Sequence, residues 1–178
     1  MTSSSKTDFD PSRAEAWRAR VGSLLFGAVD GRGVRVAIAC ARFNGGVTLR
    51  LLESALEALG DVGVERDDLT VAWVPGAFEL PIAARALATG PRRADAVIVL
   101  GAVIRGETGH YDVVAGECAS GVQSVQLDTG VPVVFGVLTT DTVEQALDRS
   151  RPDATNKGRE TALSAVEMVS VLRQIAAR

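Results

Sequence analysis

The segment LGAVIRGETGH, residues 100 to 110, runs from apolar residues straight into Arg105, Gly106, Glu107, Thr108, Gly109 and His110, the only histidine in the chain. A strand that merely turns back into a helix needs a glycine or an asparagine, and no more. The surplus reads as equipment for a ligand. Gly106 allows a close turn, and the amides around Glu107 and Thr108 stand at the start of the next helix. Unpaired N–H groups and the helix dipole favour an anion such as phosphate there. His110 follows within reach and can exchange a proton near neutral pH, as a general acid or base must. A lone histidine is more often structural, but a glycine-rich loop at a strand exit raises the odds of chemistry. A metal is poorly supported, because no second histidine exists and no Cys or Asp/Glu cluster has ligand spacing.

Three further strand exits carry residues a plain turn would not require. ARFNGG places Phe43 before Asn44 and two glycines. The ring either caps the core between sheet and helix or stacks on a planar ligand, and the residues alone lean slightly to the core. VPGAFELP puts Glu79 two residues before Pro81, in the first turn of a helix. There a carboxylate gains roughly 0.3 to 1 kcal/mol from the dipole, so a structural role competes with that of a ligand acceptor. VFGVLTTD leads to a short helix closed by Arg149, which either complements the helix C-terminus or clamps a phosphate with two hydrogen bonds. Lys157 is equally ambiguous. The G-x-x-x-x-G-K-[ST] and G-x-G-x-x-G patterns are missing, as is an esterase nucleophile elbow. The residues read by themselves describe an anion-binding enzyme with His110 as proton carrier.

These exits must be presented by regular elements. From residue 34 onward, VRVAIACARF, LTVAWVPG, ADAVIVLGAV and VPVVFGVLTT alternate with helical patterns. One helix carries Val47, Leu51, Ala55 and Leu59 on a single face; another is expected from about Asp112 to Leu127; two more follow Asp141 and Asn156, the last striped by Ala162, Val166, Val169 and Leu172. Strands this continuously apolar are buried on both faces, which predicts an α/β three-layer sandwich with a four-stranded parallel sheet, flavodoxin-like. In such a sheet ligands sit beyond the carboxyl ends of the strands. Asp141 and Glu144 have capping-box spacing, as do Ser12 and Glu15 near the N-terminus. Residues 1–22 read as a polar, mobile extension and 23–178 as a single domain. GSLLFGAVDGRG predicts an N-terminal edge strand shared with a neighbouring subunit, since an unpaired apolar strand is an aggregation hazard.

Composition narrows the field. Of 178 residues, 47% are hydrophobic and 23% charged, the profile of a globular protein rather than a disordered one. A net charge of -3 argues against general nucleic-acid binding, which needs a basic face. Cys40 and Cys118 form neither a disulfide framework nor a C-x-x-C pair, so a reducing, cytoplasmic setting is expected. No stretch reaches the roughly 20 apolar residues of a membrane helix, and no secretory signal is legible.

RFN, VPGAFELP, GAVIRGETGHYD, VPVVFGVLTT and EQALDRS with NKG after it resemble, in order and spacing, the 6,7-dimethyl-8-ribityllumazine synthase family of riboflavin biosynthesis, from about Ser23 to Ile175. The resemblance implies condensation of 5-amino-6-(D-ribitylamino)uracil with 3,4-dihydroxy-2-butanone 4-phosphate, without metal or organic cofactor. It implies that Phe43 stacks on the pyrimidine, that Ala77, Phe78 and Glu79 bind the ribityl-bearing substrate, and that the backbone of Ala102, Val103 and Ile104 meets the polar edge of the ring. It further implies a phosphate seat at Glu107, Thr108 and Arg149, proton transfer by His110, and Phe135 lining the pocket from the same or a neighbouring subunit. The implied partners are the two small-molecule substrates, further copies of the chain in a pentamer or a sixty-subunit shell, and riboflavin synthase; no nucleic acid or membrane is implied.

Gly109 departs from the threonine, serine or proline usual before the histidine, and Pro152 and Asp153 stand where shell-forming members carry small residues. A non-catalytic lumazine- or flavin-binding protein and a shell-forming scaffold therefore stand as alternatives. Neither would demand Phe43, Glu79, His110 and Arg149 together.

Overall fold

Strand-forming runs rich in Val, Ile and Ala fold into one parallel sheet in the computed structural model, which describes residues 9–178. The strands are β1 (Val36–Ala41), β2 (Leu69–Val74), β3 (Ala96–Ile104) and β4 (Val133–Thr140), and their order is β2-β1-β3-β4. The helices are α1 (Pro11–Glu15), α2 (Gly45–Asp61), α3 (Leu80–Thr89), α4 (His110–Thr129), α5 (Val143–Arg149) and α6 (Lys157–Ala176). All three strand pairings are parallel, so each connection crosses over through a helix.

β3 is central, and its side chains divide by parity. Ile98, Leu100 and Ala102 join a core with α2 and α6, while Val97, Val99 and Val103 join a second core with α3 and α4. This two-sided burial is why the strand is apolar without alternation. The stripe Val47, Leu51, Ala55 and Leu59 faces the sheet as its spacing predicts, and so do Ala162, Val166 and Val169 of α6. Where α2 and α6 meet, Gly158 is obligatory: a Cβ there would lie 2.0 Å from the Leu51 carbonyl oxygen. The edge strand β2 leaves Val71 37% and Trp73 47% exposed.

Several local expectations are corrected. α5 is capped by Thr142, whose side chain accepts from the Gln145 N–H, while the Asp141 N–H donates to Gln145 Oε1. Both residue types cap well, and the extended backbone falls at Thr142. In α1 the cap is likewise Asp10 rather than Ser12. α4 starts at His110, two residues earlier than the spacing suggests. Residues 21–35 form no strand with any other part of the described chain. They lie against α6 instead, with the Ala28 N–H donating to Ser170 Oγ at 3.0 Å and Gln174 Nε2 donating to the Phe26 carbonyl at 2.7 Å. The Phe9 and Phe26 rings pack at 6.2 Å between centroids. The leader before Phe9 lies outside the described residues. Among those described, no helix is long and apolar enough to cross a membrane.

Candidate active site

In the strand order β2-β1-β3-β4 the winding reverses between β1 and β3, and the loops leaving those two strands part in opposite directions. A crevice opens at their carboxyl ends. It is a cavity of about 360 Å³, formed by Phe43, the turn at Gly76–Glu79, the end of β3 and the first turns of α4.

The first wall follows β1. Backbone pairing continues past the strand, with the Arg42 N–H donating to the Val74 carbonyl at 2.9 Å and the Phe43 N–H to the Pro75 carbonyl at 3.1 Å. Asn44 then takes a left-handed conformation, φ 58°, and its Nδ2 donates to the Ala102 carbonyl at 2.9 Å. The chain reverses sharply, and the Phe43 ring is left at the mouth, 70% exposed. The core role favoured slightly on sequence grounds is overturned, because β1 ends at Ala41, two residues before the ring.

The second wall is the 3-10 turn Ala77–Glu79, which runs directly into α3. Glu79 Oε2 accepts from the Gly76 N–H at 2.9 Å. This bond ties the turn, and among the described residues the other carboxylate oxygen accepts no hydrogen bond. Ala77 is buried, whereas Phe78 is exposed at the rim.

The third wall comes from unequal pairing of β3. Pairing to β1 stops at Leu100, while pairing to β4 continues through Ile104, and the Arg105 N–H still donates to the Thr140 carbonyl at 2.9 Å. In a parallel ladder alternate residues address opposite neighbours. Arg105 faces β4, so the backbone of Ile104 faces the side where β1 has already ended. The strand thus offers the cavity a bare polar edge. Gly106, Thr108, His110, Tyr111 and Val114 complete the wall. The His110 N–H donates to Thr108 Oγ1 at 3.4 Å, a long bond. Gly109 has φ -65°, which any residue adopts, and open space where a side chain would go. It is therefore not needed for the turn, and its lack of a side chain leaves α4 without a capping bond.

Comparison with known proteins gives the site its context. A family model described as 6,7-dimethyl-8-ribityllumazine synthase matches residues 33–173. The chain belongs to this family. Proteins named 6,7-dimethyl-8-ribityllumazine synthase that it resembles include one from Edwardsiella ictaluri, 55% identical over 152 residues that cover 85% of this chain and 97% of that protein. Another, from Pectobacterium atrosepticum, is 51% identical over 156 residues, covering 86% and 99%. A third, from Yersinia pestis, is 50% identical over 154 residues, covering 86% and 98%.

Of the residues expected at a lumazine synthase site, Phe43, Ala77, Phe78, Glu79, Ala102, Val103, Ile104, Thr108 and His110 line one cavity. Glu107 sits in the adjoining loop without lining it. Phe135 and Arg149 stand apart. Phe135 pairs with Val99 on β4 and is 37% exposed, and Arg149 Nη1 donates to the Gln145 carbonyl of its own helix at 3.1 Å. Among the described residues no lysine or arginine lines the cavity. Tyr111 and Val114 line it without having been singled out; their signal was helical spacing, since both fall on the first turns of a helix that begins at His110. Among the described residues no group of three His, Cys, Asp or Glu side chains could hold a metal ion.

Proposed function

We propose that this chain condenses 5-amino-6-(D-ribitylamino)uracil with 3,4-dihydroxy-2-butanone 4-phosphate, giving 6,7-dimethyl-8-ribityllumazine, phosphate and water. Family membership supports the reaction. The observation that carries the site is the cavity's pairing of an exposed aromatic ring with a strand edge that lacks a partner. A planar, polar-edged ring fits between them: Phe43 stacks on its face, and the backbone on the β1 side of β3, at Ala102 and Ile104, meets its edge. The Val103 backbone is turned to β4 and lines the cavity without offering it a free polar group. Glu79 Oε1, with Ala77 and Phe78 beside it, receives ribityl hydroxyls. The butanone phosphate lies toward Glu107 and Thr108 at the start of α4, with Arg149 as the cation. The 5-amino group attacks the ketone and one water leaves as the imine forms. Loss of a proton from the adjacent carbon expels phosphate and leaves an enol that tautomerises to a carbonyl. The ribitylamino nitrogen attacks that carbonyl to close the ring, and a second water is lost. His110 carries protons between these steps. Holding two substrates in contact supplies much of the rate, since effective molarities of well-oriented pairs reach about 10⁵ M or more.

The described residues of one chain supply no cation to its cavity, and Phe135 and Arg149 lie elsewhere. This supports a homo-oligomer, a pentamer or a shell of pentamers, in which a neighbour brings Phe135 and Arg149 to the cavity. The bare outer edge of β2 with Trp73 and the unpaired segment after Ser23 support strand exchange between such neighbours. Two free, buried thiols support a cytoplasmic setting.

Following lumazine absorbance with both substrates tests the reaction; no rate above the spontaneous condensation refutes it. The shared site is tested by mixing His110→Ala with Arg149→Ala subunits under reassembly. Mixed oligomers should regain turnover that neither parent has, and mixtures no better than their parents exclude contribution across the interface.

A further inference from the structure

We propose that Arg105 is a positioning residue of the cavity, a clip that holds the first turn of α4, with His110 and Tyr111, against the junction of β4 and α5. The inference rests on the cavity being the reaction site. The loop that Arg105 begins has little else to hold it. Gly106 and Gly109 have open space around them, α4 lacks a side-chain cap, and the Thr108 bond to the His110 N–H is long.

Arg105 is fastened on every side. Its backbone N–H extends the β3–β4 ladder by one residue, to the Thr140 carbonyl. Its Nε donates to Asp141 Oδ1 at 3.0 Å, just before α5. Its Nη1 lies 3.3 Å and 3.4 Å from the two carboxylate oxygens of Asp112 in the first turn of α4. Its Cζ stands 4.0 Å from the centroid of the Tyr111 ring, and that ring lines the cavity. A guanidinium meets these demands together because its donors fan out in one plane while its face remains free for an aromatic ring. A lysine ammonium has no such geometry. The same contacts disfavour Arg105 as the anion receptor, since two of its three nitrogens are committed to carboxylates and it does not line the cavity. Three elements are thereby joined at the base of the anion loop.

In the full-length protein, Arg105→Gln should lower kcat about tenfold and raise the KM for the phosphate-bearing substrate, leaving the KM for the pyrimidine within about twofold, because misplacement by ~1 Å costs up to about 100-fold. Loss of folded enzyme alone would lower kcat and leave both KM values in place. Arg105→Lys should recover only part of the loss. Tyr111 is the only tyrosine, so protein labelled with 3-fluorotyrosine gives one fluorine resonance, which Arg105→Gln should shift. Wild-type kinetics in Arg105→Gln, or an unmoved resonance, overturns the proposal. If Arg105→Gln does not fold, Asp112→Asn and Asp141→Asn each remove one charged partner and carry the same readouts. A wild-type protein without turnover defeats the functional reading, while the fluorine shift still decides the clip.

Discussion

Asn44 is the only described non-glycine residue with a positive φ, and its side chain joins two walls of the site through the Ala102 carbonyl. Replacing it separates strain from tether. Asn44→Ala loses the hydrogen bond, about 1 kcal/mol, and must hold an alanine in the left-handed region, about 1 kcal/mol more, for a total of about 2 kcal/mol. Asn44→Gly loses the same bond, but glycine enters that region freely, and this relief offsets its added unfolded-state entropy, leaving about 1 kcal/mol. Urea unfolding at one fixed protein concentration should show midpoints in the order wild type, Gly, Ala, with unchanged slope. In melting temperature this is about 2 to 4 °C for Gly and twice that for Ala. Turnover should behave differently: both variants untie Phe43 from β3, so both should lose activity to a similar degree. A glycine variant as unstable as the alanine variant would refute the strain argument. Full activity in both would refute the tether.

Gly158→Ala should cost at least about 3 kcal/mol, because the added carbon would collide with the Leu51 carbonyl oxygen at 2.0 Å and backbone must move; Gly60→Ala, with open space around it, should gain about 0.5 to 1 kcal/mol, both read from urea midpoints. Phe43→Ala should leave stability within about 0.5 kcal/mol, since the ring is exposed, yet weaken pyrimidine binding roughly tenfold, measured by calorimetric titration. Burial pushes the Cys40 and Cys118 thiols up from 9.0 to about 11. Between pH 9 and 11 the unfolded chain therefore binds fewer protons than the native one, and stability falls as pH rises through that window. The double Cys40→Ala, Cys118→Ala variant should show a shallower fall in urea midpoint over the same range, and native wild-type thiols should resist alkylation at neutral pH.

The strands, the helical faces and the exits that carry ligand chemistry were legible because each depends on residues near in sequence. A doubly buried strand must be apolar throughout, so the apolar runs marked a parallel sheet covered on both faces, and helical spacing marked the faces of α2 and α6. Caps proved less legible: Asp141 and Thr142 are both good caps, and only the backbone angle selects between them. The place of Phe43 is not legible locally, because its type suits core and ligand alike and its exposure depends on where β1 ends relative to β3. Arg105 had no role until its partners, 7 and 36 residues away along the chain, came together around it.

The chain's own sequence therefore determined the layered α/β fold and pointed to an anion at the strand exits, since these readings follow from hydrophobic periodicity and from local chemistry. Tertiary structure alone decided which exits share a cavity, that β3 outruns β1 and leaves a bare edge, and that Arg149 and Phe135 fall outside the cavity of their own chain. These are consequences of strand order and register, which arise from packing between segments distant in sequence and leave no local trace.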